Sequence, residues 1–146
     1  MDREHGNRLI SSLCYQDAQA AISWLECAFG FTAHLVVPGE NDTVLHSQLI
    51  APDGRSMIML FTQRDDDYGK LQNTPKALGG RNQALYMVVD DVDAHHARAV
   101  EAGATIHMPP TKQDYGGSSY TCEDPEGHIW SFGSYDPWAE VDGPQG

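Results

Sequence analysis

Basic residues are scarce in this chain: 9 Lys and Arg stand against 21 Asp and Glu, a formal charge of −12 over 146 residues. Such a surface is repelled by nucleic-acid phosphates and by anionic lipid headgroups, so neither is expected as a partner. Cysteine is scarce too. Cys14, Cys27 and Cys122 are odd in number and show no Cys-x-x-Cys spacing, which excludes a disulfide framework and leaves reduced thiols as the plain expectation. No run approaches the roughly 18 apolar residues that span a bilayer. The opening residues, MDREHGNRL, lack the apolar segment of a signal peptide, so a cytoplasmic protein is expected. A Gly-x-Ser-x-Gly elbow is missing, and Gly79 to Asn82, GGRN, opens no phosphate-binding helix. What remains is one domain's worth of chain, long enough to bury a core without staples.

The chain then reads as two similar halves. Arg8 to Tyr15 has strand character and ends at Asp17, a good helix N-cap. Ala21, Trp24, Leu25 and Ala28 recur at helical spacing, and Gly30 stands where a left-handed C-cap belongs. TAHLVVPG, TVLHSQLIA and SMIMLF follow as three strands, the last two a hairpin across Pro52-Asp53-Gly54. The order repeats with ALYMVVDD, a helix VDAHHARAVEA capped by Asp91, Gly103, ATIHM and a closing hairpin SSYTCED-PEG-HIWSFGSY. Asp17 and Asp91, Gly30 and Gly103, and Gly54 and Gly127 are each 73 or 74 residues apart, a repeat signal. The expected architecture is α+β, two βαβββ modules at about 8–62 and 83–135 within one domain, 1–146. A polar connector at about 63–82, a linker or lid, joins them, and an acidic tail, 136–146, follows.

Paired modules with the segments DAQAAISWLECAFGF, VDDVDAHHARAVEAGATI and YTCEDPEGHIWSFGSY, preceded by Tyr115-Gly116-Gly117, resemble the vicinal oxygen chelate superfamily. That group comprises glyoxalases, extradiol dioxygenases, and fosfomycin- and bleomycin-resistance proteins. The resemblance covers about Leu9 to Tyr135 and implies curved mixed sheets around a cavity, in a homodimer. In the metal-dependent members four inward His, Glu or Gln side chains hold a divalent ion. The matching positions here are Ile10, Met59, Ala84 and Ser131, none of them a usual ligand for such an ion. The resemblance therefore implies the metal-free, bleomycin-resistance-like or PhnB-like branch, with no metal and no cofactor.

Strand alternation names the rest of the cavity wall. If Trp130 and Phe132 pack under the second helix, then Ile129, Ser131 and Gly133 face the other way. The same parity turns Ser12, Cys14, Met57, Met59, Phe61, Ala84, Tyr86 and Val88 inward. Leu45 and Leu49 on the helix side would turn His46 and Gln48 inward. Met and aromatic groups with a few polar handles compose a typical small-molecule pocket. The expected ligand is an aromatic or amphipathic compound, held by Phe61, Tyr86 and Tyr120 through area and by Ser12, His46, Gln48 and Ser131 through hydrogen bonds. No catalytic residue is assigned. The plainer reading of Met57 and Met59 is core, and that of His46 a buried, hydrogen-bonded side chain. His95 and His96 point about 100° apart and cannot share an ion; His128 closes its turn, and Asp65-Asp66-Asp67 is a solvated run. The alternative function is a metal-dependent lyase, isomerase or dioxygenase with unusual ligands, such as His46 and Gln48 with a linker carboxylate.

Overall fold

The computed structural model describes residues 6–141; His5 and the last five residues of the expected tail lie outside the described residues. Contacts divide the chain into one unit ending at Gly80 and another beginning at Arg81.

In the first unit β1 (Ser11–Tyr15) leads to α1 (Ala18–Phe29), then β2 (Thr32–Pro38), β3 (Val44–Ile50) and β4 (Met57–Thr62). The Asp17 carboxylate accepts the Ala20 N–H, satisfying a donor that the first turn leaves open, and Gly30 closes the helix at φ 76°. Ala18, Ala21, Ile22, Leu25, Ala28 and Phe29 form the buried stripe of α1. It lies against Leu13, Ile58, Leu60 and Leu49, all buried. Each such leucine contributes about 1.5–3 kcal/mol on leaving water. The sheet order is β1-β4-β3-β2, with β1 parallel to β4.

The second unit repeats this plan with β5 (Ala84–Val88), α3 (Val92–Glu101), β6 (Thr105–Lys112), β7 (Ser118–Glu123) and β8 (Ile129–Gly133), in the order β5-β8-β7-β6. Asp91 caps α3 by accepting the Ala94 N–H, as Asp17 does for α1. The repeat reaches down to register. In the first sheet Ser12, Met59, Gln48 and Leu35 stand side by side across four strands. In the second the same row is Tyr86, Ser131, Thr121 and Met108. The chain is thus an α+β protein of paired βαβββ modules.

Three local expectations change. The first strand begins at Ser11 rather than Arg8. The sixth runs past ATIHM through Pro109 and Pro110 to Lys112, because it is an edge strand, where a residue lacking an N–H is tolerated. Its register with β7 shifts twice there. Leu45 is 45% exposed rather than covered by α1; it lies at the end of β3 where the β2–β3 register breaks.

The connector is folded. It carries a 3-10 turn at Gly69–Leu71 and α2 (Pro75–Leu78), capped by the Thr74 hydroxyl. Both belong to the first unit. A final short helix, α4 (Trp138–Val141), follows β8. Trp138 at its start is exposed.

Candidate functional site in the open faces of the sheets

Each sheet has one face under its helix and one open face, and the open faces carry the candidate residues. In the first module Ser12, His46, Gln48, Met57 and Met59 are all half-buried on that face. His46 Nε2 lies 3.0 Å from Gln48 Nε2, so the two polar groups on β3 hold one another. Met59 is flanked by Gln48 on one side and Ser12 on the other.

The connector covers one end of this face. Tyr68 reaches across with its hydroxyl 3.4 Å from the Ser12 Oγ, and Gln72 Nε2 donates to the Ser12 carbonyl at 2.8 Å. The Tyr68 ring meets Phe61 edge-on at 5.4 Å, and the Arg64 guanidinium stands 5.2 Å from the Phe61 ring centre. Gly69 is required here: a Cβ would come 2.1 Å from the Arg64 carbonyl oxygen. Phe61 and its strand neighbour Cys14 are consequently buried rather than presented as open wall. Alternation gave their direction, but not the segment that folds over Phe61.

In the second module Ala84 and Tyr86 are exposed, and Ser131 is half-buried. Ser131 Oγ is bonded to Thr121 Oγ1 at 2.7 Å. Tyr86 lies over Gly133, whose hypothetical Cβ would meet the Tyr86 hydroxyl at 2.6 Å, and that hydroxyl donates to the Tyr135 carbonyl at 2.7 Å. Beside this row a groove of about 280 Å³ runs along β6 and β7. His107, Met108, Thr111, Gln113, Ser119 and Thr121 are among its lining residues. Gln113 Nε2 donates to Ser119 Oγ at 3.0 Å.

Tyr120 also borders this groove, but it pairs with Phe132, on the helix face, and is 1% exposed. Its hydroxyl lies 2.5 Å from His95 Nδ1. His95 and His96 both pack on its ring, and His95 lies tilted against Phe132 with ring centres 4.0 Å apart. Burial, with the charge of Arg98, lowers the His95 pKa from 6.5 to about 4, so the imidazole is neutral at pH 7. Burial also raises the Tyr120 phenol and pushes the Cys122 thiol up to about 12, which leaves that thiol inert.

The turn after β7 is built on a buried carboxylate. Asp124 Oδ1 accepts the N–H groups of Glu126 and His128, and Oδ2 accepts the Trp130 indole N–H at 3.2 Å. His128 closes the turn through its backbone, its carbonyl accepting the Asp124 N–H.

Two modules of this plan, with this register, match known proteins. The model of the Glyoxalase/Bleomycin resistance protein/Dioxygenase superfamily matches residues 9–132. The chain belongs to that superfamily. The Mycobacterium bovis protein Mb0911c is 33% identical over 121 residues, which cover 83% of this chain and 78% of that protein. TioX from Micromonospora sp. ML1 is similar at 29% identity and a TM-score of 0.67, over 88% of this chain and 98% of TioX. The fosfomycin resistance protein FosX from Mesorhizobium loti shares the fold, at 14% identity and a TM-score of 0.61, over 93% of this chain and 97% of its own.

The superfamily includes metal-dependent members, and the donor positions can be tested for fit. Ile10 and Ala84 offer no lone pair, Met59 offers only a soft thioether, and the Ser131 hydroxyl is engaged by Thr121. A hard divalent ion requires carboxylate, imidazole or amide donors. These four side chains do not fit one. Among the described residues no group of three or more His, Cys, Asp and Glu is placed to hold an ion. Also among the described residues, no helix is long and apolar enough to cross a membrane.

Several groups at the open faces escaped the sequence reading. Thr121 was readable by parity, since it alternates with Tyr120 and Cys122. His107, which the sequence left without a role, bonds the Glu123 carboxylate at 2.9 Å. Arg81 pairs with that same carboxylate and donates through Nε to the Gly127 carbonyl at 2.5 Å, contacts that only folding brings together.

Proposed function

We propose that this protein is a small-molecule-binding member of its superfamily, sequestering an aromatic or amphipathic compound against the open faces of its sheets without a metal ion. The observation that carries the proposal is the set of side chains at the positions where the family resemblance implies metal ligands. Where metal-dependent members place ligating side chains, this chain places an isoleucine, a methionine, an alanine and a serine. Sulfur and hydrocarbon favour contact with aromatic carbon, and the hydroxyl and amide groups of Ser12 and Gln48 on one open face, or the hydroxyls of Ser131 and Thr121 on the other, orient a guest. Of the residues first assigned to the ligand, Ser12, His46, Gln48, Met57, Met59, Ala84, Tyr86 and Ser131 stay in this proposal; Phe61 and Cys14 enter only if the connector moves. A homodimer in the cytoplasm, as the superfamily resemblance implies, completes it, with no nucleic-acid partner given the charge of −12.

The test is a pair of measurements on the purified protein. After soaking with nickel, zinc, manganese and iron(II) and then dialysis, bound metal per chain should be far below one. Aromatic and heteroaromatic compounds should raise the melting temperature, because a ligand that binds only the native state stabilises it. Near-stoichiometric metal retention would overturn the proposal and favour the metal-dependent enzyme reading.

A further inference from the structure

Tyr86, part of the second row, also belongs to a cluster of tyrosines. At one end of the second module's open face three tyrosines gather, and an exposed carboxylate, Asp136, follows the last of them in the chain. The Tyr115 ring meets Tyr135 edge-on at 4.9 Å, and Tyr86 is tied to Tyr135 by its hydroxyl bond at 2.7 Å. Tyr86 and Tyr115 remain 42% and 58% exposed, high values for rings held in place. Asp136 follows Tyr135 directly and is exposed; its Oδ1 accepts the Trp138 N–H at 2.9 Å.

The cluster is built rather than floppy. The loop bearing Tyr115 is seated on Ser134: the Ser118 N–H donates to Ser134 Oγ and the Ser134 N–H to the Ser118 carbonyl, both at 3.0 Å. Gly117, at φ 67°, lets the loop approach so closely that a Cβ there would stand 2.4 Å from Ser134 Oγ. Gly133 does the same for Tyr86. Two glycines thus allow tyrosine rings to be fixed in partly solvent-exposed positions, an arrangement that core packing does not require.

We infer that Tyr86, Tyr115, Tyr135 and Asp136 form a subsite for an organic ammonium group. This rests on the small-molecule-binding reading and names the charge of one end of the ligand. Ring faces carry negative potential and attract cations, best when the cation is weakly hydrated and sheds its water easily, as a quaternary ammonium does. Asp136 adds a full charge, and the chain's −12 steers cations toward the protein. The Tyr86 pKa is raised, by burial first and then by the charges of Tyr115, Asp136 and Tyr135.

Two probes of equal shape separate this from plain hydrophobic contact: 4-hydroxyphenyltrimethylammonium and its neutral isostere 4-tert-butylphenol. Titration calorimetry on the intact protein should show the cation binding about tenfold more tightly. Tyr115→Leu should reduce that preference about fivefold and Asp136→Asn about threefold, while Tyr115→Phe, which keeps the ring, should retain most of it. Equal binding of the two probes would overturn the subsite and leave the small-molecule reading standing. A preference that survives Tyr115→Leu and Asp136→Asn unchanged would assign it to the acidic surface as a whole, and would likewise overturn the subsite. If neither probe binds and no aromatic compound raises the melting temperature, both inferences fail together.

Discussion

The two modules share strand order, helix N-caps and register, yet they spend their polar groups differently. The hairpin turn of the first module sets a glycine N–H on the Ala51 carbonyl, and that of the second sets one on the Asp124 carbonyl, at the same 2.9 Å. In the first the organising carboxylate is Asp53, exposed, accepting from Arg55 and Ser56. In the second it is Asp124, 2% exposed and joined to the Trp130 indole. The open rows diverge likewise: Ser12, Met59 and Gln48 in one, Tyr86, Ser131 and Thr121 in the other. A duplicated backbone therefore fixes where side chains stand, while their chemistry varies freely at equivalent points. Burial decides how much each substitution matters.

The largest effect expected from this contrast is at the turns. Asp124→Ala removes the acceptor of three N–H groups in a buried setting and should cost about 3–5 kcal/mol in urea denaturation. Asp53→Ala, at an exposed turn, should cost about 1 kcal/mol. Equal costs would break the comparison. Trp130→Phe sharpens it, since the ring stays but the donor to Asp124 goes; about 1–3 kcal/mol is expected.

A pH effect comes next and belongs to the second module. His95 has a folded pKa of about 4 against 6.5 in the unfolded chain, so between those values the unfolded state binds more protons. Stability contributed by the neutral imidazole is present above about pH 6.5 and is lost as pH falls toward 4. Allowing for partial solvent screening, the loss should be on the order of 1–2 kcal/mol between pH 7 and 4.5. Denaturation midpoints followed over that range should fall less steeply in His95→Phe, and an unchanged slope would exclude His95 as the source.

The smallest effect concerns Ser131. Ser131→Ala breaks a half-buried hydroxyl pair with Thr121, so stability should drop by about 1 kcal/mol or less, and a bound ligand should weaken by about as much. Thermal shifts with and without ligand measure both. A loss of bound metal in this variant would show that the second row holds an ion after all.

Much of the fold was legible because it rests on local rules. Asp17 and Asp91 cap helices, Gly30 takes a left-handed conformation, and Trp130 and Phe132 alternate against Ser131, each signal lying within a few residues of its effect. The burial of Tyr120 turned on one pairing: Cys122 opposite Trp130 places Tyr120 opposite Phe132, under α3. The burial of Phe61 was hidden for a different reason. Its direction was right, but Arg64 and Tyr68 return over it through a connector whose polar sequence gives no sign of the surface it will meet.

The amino-acid order alone thus determined the duplicated βαβββ plan and the N-caps of its two long helices. These follow from periodicity and residue type, which act over short range. Tertiary structure alone decided which inward-pointing groups stay accessible, which carboxylate is buried, and that Tyr86, Tyr115 and Tyr135 meet. Those outcomes depend on contacts between residues far apart in the chain, and side-chain packing, not local propensity, selects them.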